Sequence, residues 1–256
     1  MIDFAGGTSE PRAWSALQNI VILAETSSSN DLAREIIETY FAEEQELFPT
    51  VLVAESQTAA RGRKGQWAAP PGRGIYLTLV RRLQPGESLS LVPIAVARWV
   101  RDALAAGTGL EARLKWPNDL YAGGRKLAGV LAESRTQGDE TYVAVGVGLN
   151  AKGTPESLGI ENATTVEAET GRPVELARLL QAVLDRFDRE LAQPVDAAEV
   201  ERWQSVSLHN PGDRLTVRRD GVDVEGEYRG LTPEGFLRIG TPAGEAVVAT
   251  GELARW

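Results

Sequence analysis

The chain has 256 residues, 43% hydrophobic and 25% charged, with a formal net charge of −9, enough for one large domain or a large and a small one around a core that needs no covalent staple. It contains no cysteine and one histidine, His209, which excludes disulfides, thiolate metal sites, iron–sulfur clusters and a cysteine nucleophile. The acidic balance disfavours general nucleic-acid binding, where neutralising phosphates carries most of the affinity.

Residues 1–18 lack periodicity and read as a partly disordered lead-in. Residues 1–11 have no basic stretch followed by an apolar one, and no apolar run in the chain reaches membrane-spanning length, so neither a secretory leader nor a span is expected and the expected location is the cytoplasm. The apolar run 19–24 is of strand length. Ser28 or Ser29 then makes a good N-cap, with Asp31 favoured in the first turn of a helix carrying Leu32, Ile36, Ile37, Tyr40 and Phe41 on one face. Strands are predicted at 50–54 and 75–80, with a glycine- and proline-rich loop over 56–74 between them; a loop of that length is usually functional. A helix over 88–105 follows, then strands at 111–116, 119–122, 126–133 and 141–147, with Gly123-Gly124 turning the second hairpin. Helices are predicted at 174–191 and 197–205. Beyond 207, short alternating strands at 213–219, 222–228, 235–239 and 245–250 read as a small β-barrel. The expected fold is therefore α+β: a mixed, mostly antiparallel sheet with helices on it over 1–207, and a small barrel over 208–256.

Charge is unevenly spread. Over 55–75, Arg61, Arg63, Lys64 and Arg73 stand against Glu55 alone, and over 111–135 five basic residues stand against three acidic ones. Two basic islands in an acidic chain suggest a local anion site. In the first island, QTAARGRKGQW (57–67) combines glycines that let backbone approach a ligand with arginine forks suited to phosphate or carboxylate; a solvated basic loop explains the composition equally well. In the second, Lys115-Trp116-Pro117-Asn118-Asp119 turns a corner that presents an amide and a carboxylate. Across the Gly123-Gly124 hairpin, Lys126 can reach Asp119, either as an oriented, protonated lysine or as a surface ion pair of little value. Gly146-Val147-Gly148-Leu149-Asn150 ends the strongest strand; it is not a dinucleotide fingerprint, but its small residues mark a close approach to backbone.

Taken in order, Ser28-Ser29-Asn30, QTAARGRKGQW, PPGRGIYLTL, KWPNDL, RKLAGVLAE and GVGLN resemble the biotin protein ligases (biotin–[acetyl-CoA-carboxylase] ligases) from about residue 25 to residue 150. KWPNDL followed by RKLAG is the most specific part. With about 18 residues before the first strand, the resemblance is to the short class without an N-terminal DNA-binding domain. It implies a class II synthetase-like catalytic fold with an SH3-like C-terminal barrel. It also implies ATP-dependent formation of biotinyl-5′-AMP and transfer of biotin to a lysine of a biotin carboxyl carrier protein domain, by a monomer or homodimer that uses neither DNA nor membrane. On that resemblance Ser28, Ser29, Asn30, Gln57, Arg61 and Gly129 contact biotin; Arg63, Trp67, Asn118, Lys126 and Asn150 contact the nucleotide; and Lys126, Arg63 and Asp119 are catalytic. Mg2+ would be held by the ATP phosphates, with no protein ligand. The chain departs from the pattern at Ala60, where the loop usually has glycine, and in a spacing from Arg61 to Trp67 that is one residue short. No residue after Asn150 matches an adenine-stacking aromatic. The alternatives are a lipoate or octanoate ligase of the same fold and an RNA-binding module in which Arg61 and Arg63 contact the nucleic acid.

Overall fold

A computed structural model describes residues 14–63, 65–219 and 221–256. In chain order the elements are β1 (Asn19–Thr26), α1 (Ser29–Ala42), β2 (Thr50–Gln57), β3 (Arg61–Gly62), β4 (Gly65–Gln66), β5 (Gly74–Arg82), α2 (Val92–Thr108), β6 (Arg113–Lys115), β7 (Asp119–Ala122), β8 (Arg125–Gln137), β9 (Glu140–Asn150), α3 (Val166–Thr170), α4 (Leu176–Leu191), α5 (Ala198–Gln204), β10 (Arg214–Arg219), β11 (Val222–Leu231), β12 (Leu237–Thr241), β13 (Gly244–Val248) and β14 (Glu252–Arg255). Seven strands form one sheet in the order β1-β2-β5-β9-β8-β7-β6, and five form a second in the order β13-β12-β11-β10-β14. Among the strand pairs of the described residues, β1–β2 alone is parallel, because α1 crosses over between those strands.

The period-2 alternation of the central strands sorts their side chains onto two faces. Leu52, Val80, Tyr142 and Ala144 pack against Ala33, Ile37 and Phe41 of α1. Their neighbours Val51, Val53, Leu79, Val143 and Val145 point the other way, into a larger cluster with Val96, Val100 and Leu104 of α2 and Leu180, Val183 and Phe187 of α4. Burying such side chains stabilises the fold by about 1.5–3 kcal/mol each. The same apolar cluster continues into Leu215, Val217, Tyr228, Leu237 and Ile239 of the second sheet, and the indole of Trp116 donates to the carbonyl of Gly235 at 3.1 Å. Burial alone would lower the pKa of Arg98, but hydrogen bonds and charge from Glu199, then Glu190, hold it above its usual value, which ties α2 to α4 and α5. Among the described residues no helix is long and apolar enough to cross a membrane.

Several predicted boundaries move for identifiable reasons. Residues 14–18 are not a loose lead-in: Asp188 of α4 accepts the backbone amides of Ala16 at 2.7 Å and Leu17 at 2.9 Å, and Asp185 accepts the Trp14 indole at 3.1 Å. Residues 1–13 lie outside the described residues. The 56–74 segment is not all loop, because the β3–β4 pair forms within it. β8 runs to 137, four residues past its predicted end, and turns at Gly138, φ 58°, into β9, which starts at 140 and runs three residues past its predicted end to 150. The strand predicted at 111–116 contracts to Arg113–Lys115, and the Trp116–Pro117 peptide is cis. The second sheet gains β14, which pairs with β10.

Candidate active site

The strand register places the site. Lys115 pairs with Asp119, Asp119 with Gly129, and Gly129 with Gly148, while Leu131 pairs with Gly146. Paired residues share a face, so these residues line the α1 side of the sheet, beyond the N-terminus of that helix. There the N-terminus of α1, the end of β2, the β3–β4 hairpin, the Trp116–Asp119 corner and the edge of the second sheet surround a cavity of about 610 Å³. Ser28, Ser29, Asn30, Gln57, Arg61, Arg63, Trp67, Asn118, Asp119, Lys126 and Gly129 all line it. Asn150 does not; it is 2% exposed, in the last pair of β9 with Gly74.

One end of the cavity is built on uncharged polar groups. Ser28 caps α1, accepting from the Asp31 amide. The Ser29 amide donates to Gln57 Oε1 at 2.7 Å, joining the start of α1 to the end of β2. Thr78 Oγ1 lies 2.8 Å from both Ser29 Oγ and Asn30 Oδ1. Asn30 Nδ2 donates to the Leu131 carbonyl at 3.2 Å and to Glu133 Oε2 at 3.0 Å. With both ends of its amide engaged, Asn30 is locked in orientation. The floor beside it is bare backbone: a Cβ at Gly146 would overlap Asn30, and one at Gly148 would lie 2.5 Å from the Trp67 ring. That close approach is the reason for the alternating glycines of GVGLN.

The other end is cationic. Lys126 Nζ lies 2.8 Å from Asp119 Oδ1 and 5.5 Å from the centre of the Trp67 ring. A Cβ at Gly129 would sit 3.3 Å from both charged groups, so a glycine leaves them room. Arg63 reaches Asn118 Oδ1 at 3.5 Å and donates to the Gly251 carbonyl at 2.9 Å. Burial lowers its pKa and the charge of Asp119 opposes the shift; an arginine stays cationic regardless. Arg61 is committed elsewhere, with one guanidinium nitrogen 2.8 Å from both Asp31 and Glu133. Burial, then the charge of Asp119, push the Tyr121 phenol up to about 12, so it lines the cavity as a neutral ring. Trp67 Nε1 and Asn150 Nδ2 are buried with no hydrogen-bond partner among the described residues.

The cavity also uses residues that motif reading missed. Thr78 and Glu133 fall inside the motifs PPGRGIYLTL and RKLAGVLAE but are not singled out by them, because their contacts run through Asn30 and Arg61. Asn162 sits in the segment after β9, which returns to place its carbonyl on the Lys126 amide at 2.8 Å. Lys115, Tyr121, Arg218 and Trp256 also line the wall. Lys115 stood in plain view within KWPNDL; the pairing of β6 with β7 is what turns it inward.

Residues 25–150 match the biotin/lipoate A/B protein ligase family. A biotin–[acetyl-CoA-carboxylase] ligase of Paracoccus denitrificans is 32% identical over 79% of this chain and 88% of its own length. Another, of Mycobacterium tuberculosis, is 31% identical over 94% of this chain and 90% of its own. The chain belongs to the biotin protein ligases. Among solved members of that family, the enzyme of Aquifex aeolicus in complex with biotin and ATP superposes with a TM-score of 0.73, at 27% identity, covering 93% of this chain and 98% of that one. Biotin ligases thus share with this chain both the mixed sheet and the second, smaller sheet against it.

Proposed function

We propose that this chain activates biotin as biotinyl-5′-AMP and passes the acyl group to a lysine of a biotin carboxyl carrier protein domain in the cytoplasm. The observation that carries the reading is the meeting of Lys126, Asp119 and Arg63 at one end of a cavity whose other end is a neutral, glycine-floored slot. The neutral end, with Ser28, Ser29, Asn30 and Gln57, suits a ureido ring, which offers both donors and acceptors. Arg61 and Gly129 flank the same slot. The orphaned indole donor of Trp67 suits the nucleotide, with Asn118 beside Arg63, whereas Asn150 lies off the cavity wall.

An amine attacks a carboxylate only after activation. A carboxylate oxygen of biotin attacks the α-phosphorus of ATP and pyrophosphate leaves. Both reactants are anions, so Arg63 and Lys126 neutralise them in place, and preorganised charge of this kind acts most strongly where water is excluded. In the second step the carrier lysine attacks the mixed anhydride. Asp119 orients that amine and takes its proton, and Lys126 stabilises departing AMP. No covalent enzyme intermediate is required, which agrees with a chain lacking cysteine. The β3–β4 hairpin covers an intermediate that water would hydrolyse. Among the described residues no group of three or more acidic or histidine side chains is placed to hold a metal ion. Mg2+ would come with ATP and screen its phosphates.

The test is incubation of the purified chain with MgATP, biotin and a carrier domain, read by intact mass, with lipoate as the control. One biotinyl group on the carrier is the expected result. No modification, or equal modification with lipoate, overturns the reading.

A further inference from the structure

The neutral end of the cavity contains a chain of hydrogen bonds whose direction is fixed by the atoms it joins. It starts at Glu133, whose Oε2 accepts from Asn30 Nδ2 at 3.0 Å, while the Leu131 carbonyl accepts from the same nitrogen at 3.2 Å. A carboxylate and a carbonyl only accept, so the Asn30 amide has one orientation, with Oδ1 turned to Thr78. Thr78 Oγ1 lies 2.8 Å from that oxygen and 2.8 Å from Ser29 Oγ. An amide oxygen cannot donate, and a threonine hydroxyl has a single proton. Thr78 therefore donates to Asn30 and accepts from Ser29. The Ser29 proton is used inside the protein, and the lone pairs of its oxygen are what remains for the cavity that Ser29 lines.

Gln57 is fixed in the same way with the opposite sign. Its Oε1 accepts from the Ser29 amide at 2.7 Å, which leaves Nε2, a donor, for the cavity that Gln57 also lines. The slot thus offers an acceptor at Ser29 and a donor at Gln57, the complement of an N–H beside a C=O. A hydroxyl in water turns to suit its partner. Here Ser29, Asn30 and Thr78 are all buried, and reversing one bond would leave a buried polar group unpaired, which is costly.

We propose that Thr78 is a positioning residue for ligand selectivity. It does not line the cavity, but it draws the Ser29 hydroxyl proton inward, so that the slot takes a ring with an N–H at Ser29 and rejects one with an oxygen there. The proposal rests on the biotin reading above and assigns the residue that sets its preference for a ureido ring.

The test compares biotin with the two cyclic carbamate analogues in which one or the other ureido N–H is replaced by a ring oxygen, by ATP–pyrophosphate exchange dependent on each. The replacement changes size little but sets lone pair against lone pair at Ser29. In the parent chain at least one analogue is expected to show a KM about tenfold or more above that of biotin. Thr78→Val keeps the shape of the side chain, removes its hydroxyl and releases Ser29 to turn its proton outward. In that variant the KM for biotin is expected to rise about threefold or more and the KM ratio of disfavoured analogue to biotin to drop to about threefold or less, with kcat for biotin within about twofold of the parent chain. Thr78→Ser keeps the hydroxyl and is expected to restore the parent ratio. If Thr78→Val does not fold, Thr78→Ala carries the same expectation. A merely structural role would raise both KM values together. An unchanged ratio in a folded variant, or a parent chain that accepts both carbamates as well as biotin, overturns the proposal. Absence of biotin-dependent exchange in the parent chain would instead overturn the adenylation reading itself.

Discussion

Asn30 and Arg61 share a single oxygen: Glu133 Oε2 accepts from Asn30 Nδ2 at 3.0 Å and from Arg61 at 2.8 Å. One carboxylate on β8 thus couples a residue at the foot of α1 to the hairpin that covers the cavity. Arg61 is more than a third exposed, so the contact is worth only about 0.2–1 kcal/mol, but it sets the orientation of two proposed biotin contacts at once. Glu133→Gln is expected to raise the KM for biotin roughly threefold to fivefold and to change kcat less. Equal KM values in the parent chain and the variant would show that the shared oxygen does not position the slot.

Lys126→Ala is expected to abolish adenylate formation while leaving the fold intact. Both partners of the Lys126–Asp119 pair keep some exposure, 33% and 21%, so stability changes by about 1 kcal/mol or less. The loss in biotin-dependent ATP–pyrophosphate exchange is expected to be on the order of a hundredfold or more. Exchange at the parent rate in a folded variant would remove Lys126 from the α-phosphate.

Arg63 spans the cavity mouth between Asn118 and the Gly251 carbonyl. Removing it cuts a side-chain tie from the 56–74 segment to the second sheet and takes a cation from the proposed adenylate site. Arg63→Ala is expected to release biotinyl-5′-AMP faster, on the order of tenfold, and to label bystander lysines in added proteins. Adenylate that dissociates no faster than from the parent chain would mean that this arginine does not close the site.

Much of this arrangement was legible before any coordinates. A cap at Ser28 or Ser29 and an Asp119 within reach of Lys126 follow from capping chemistry and hairpin geometry, both local in sequence, and the structure places the cap at Ser28. The close approach at Gly146 and Gly148 was also readable, although not what approaches: Asn30 lies 116 positions from Gly146 and Trp67 lies 81 from Gly148. What the sequence hid is carried by register and long-range contact. Lys115 turns inward only because β6 pairs with β7, Glu133 matters only because Asn30 and Arg61 converge on it, and Trp256 reaches the cavity only because β14 pairs back onto β10. Asn150 illustrates the converse: its motif was plain, yet its side chain is buried off the cavity wall.

The single histidine makes a pH prediction possible. His209 is 5% exposed and packs edge to face against Tyr228 and Trp256, with ring centres at 6.0 and 6.4 Å. Burial, then the charge of Lys115, push its pKa down to about 4, against a weaker opposing pull from Asp213. The folded chain therefore keeps this imidazole neutral where the unfolded chain, near the ordinary value of 6.5, takes up a proton. Where the unfolded state binds more protons, stability rises with pH. The contribution of His209 is thus complete above about pH 6.5 and is lost as pH falls from there to about 4. In His209→Phe, which keeps the ring contacts and the backbone amide that donates to Ser207 Oγ, that loss is absent. The Tm of the parent chain is expected to fall more steeply than that of the variant between pH 7 and pH 5. Parallel Tm curves over that interval would mean that His209 titrates alike in the folded and unfolded chains, and that neither its burial nor the nearby ammonium perturbs it.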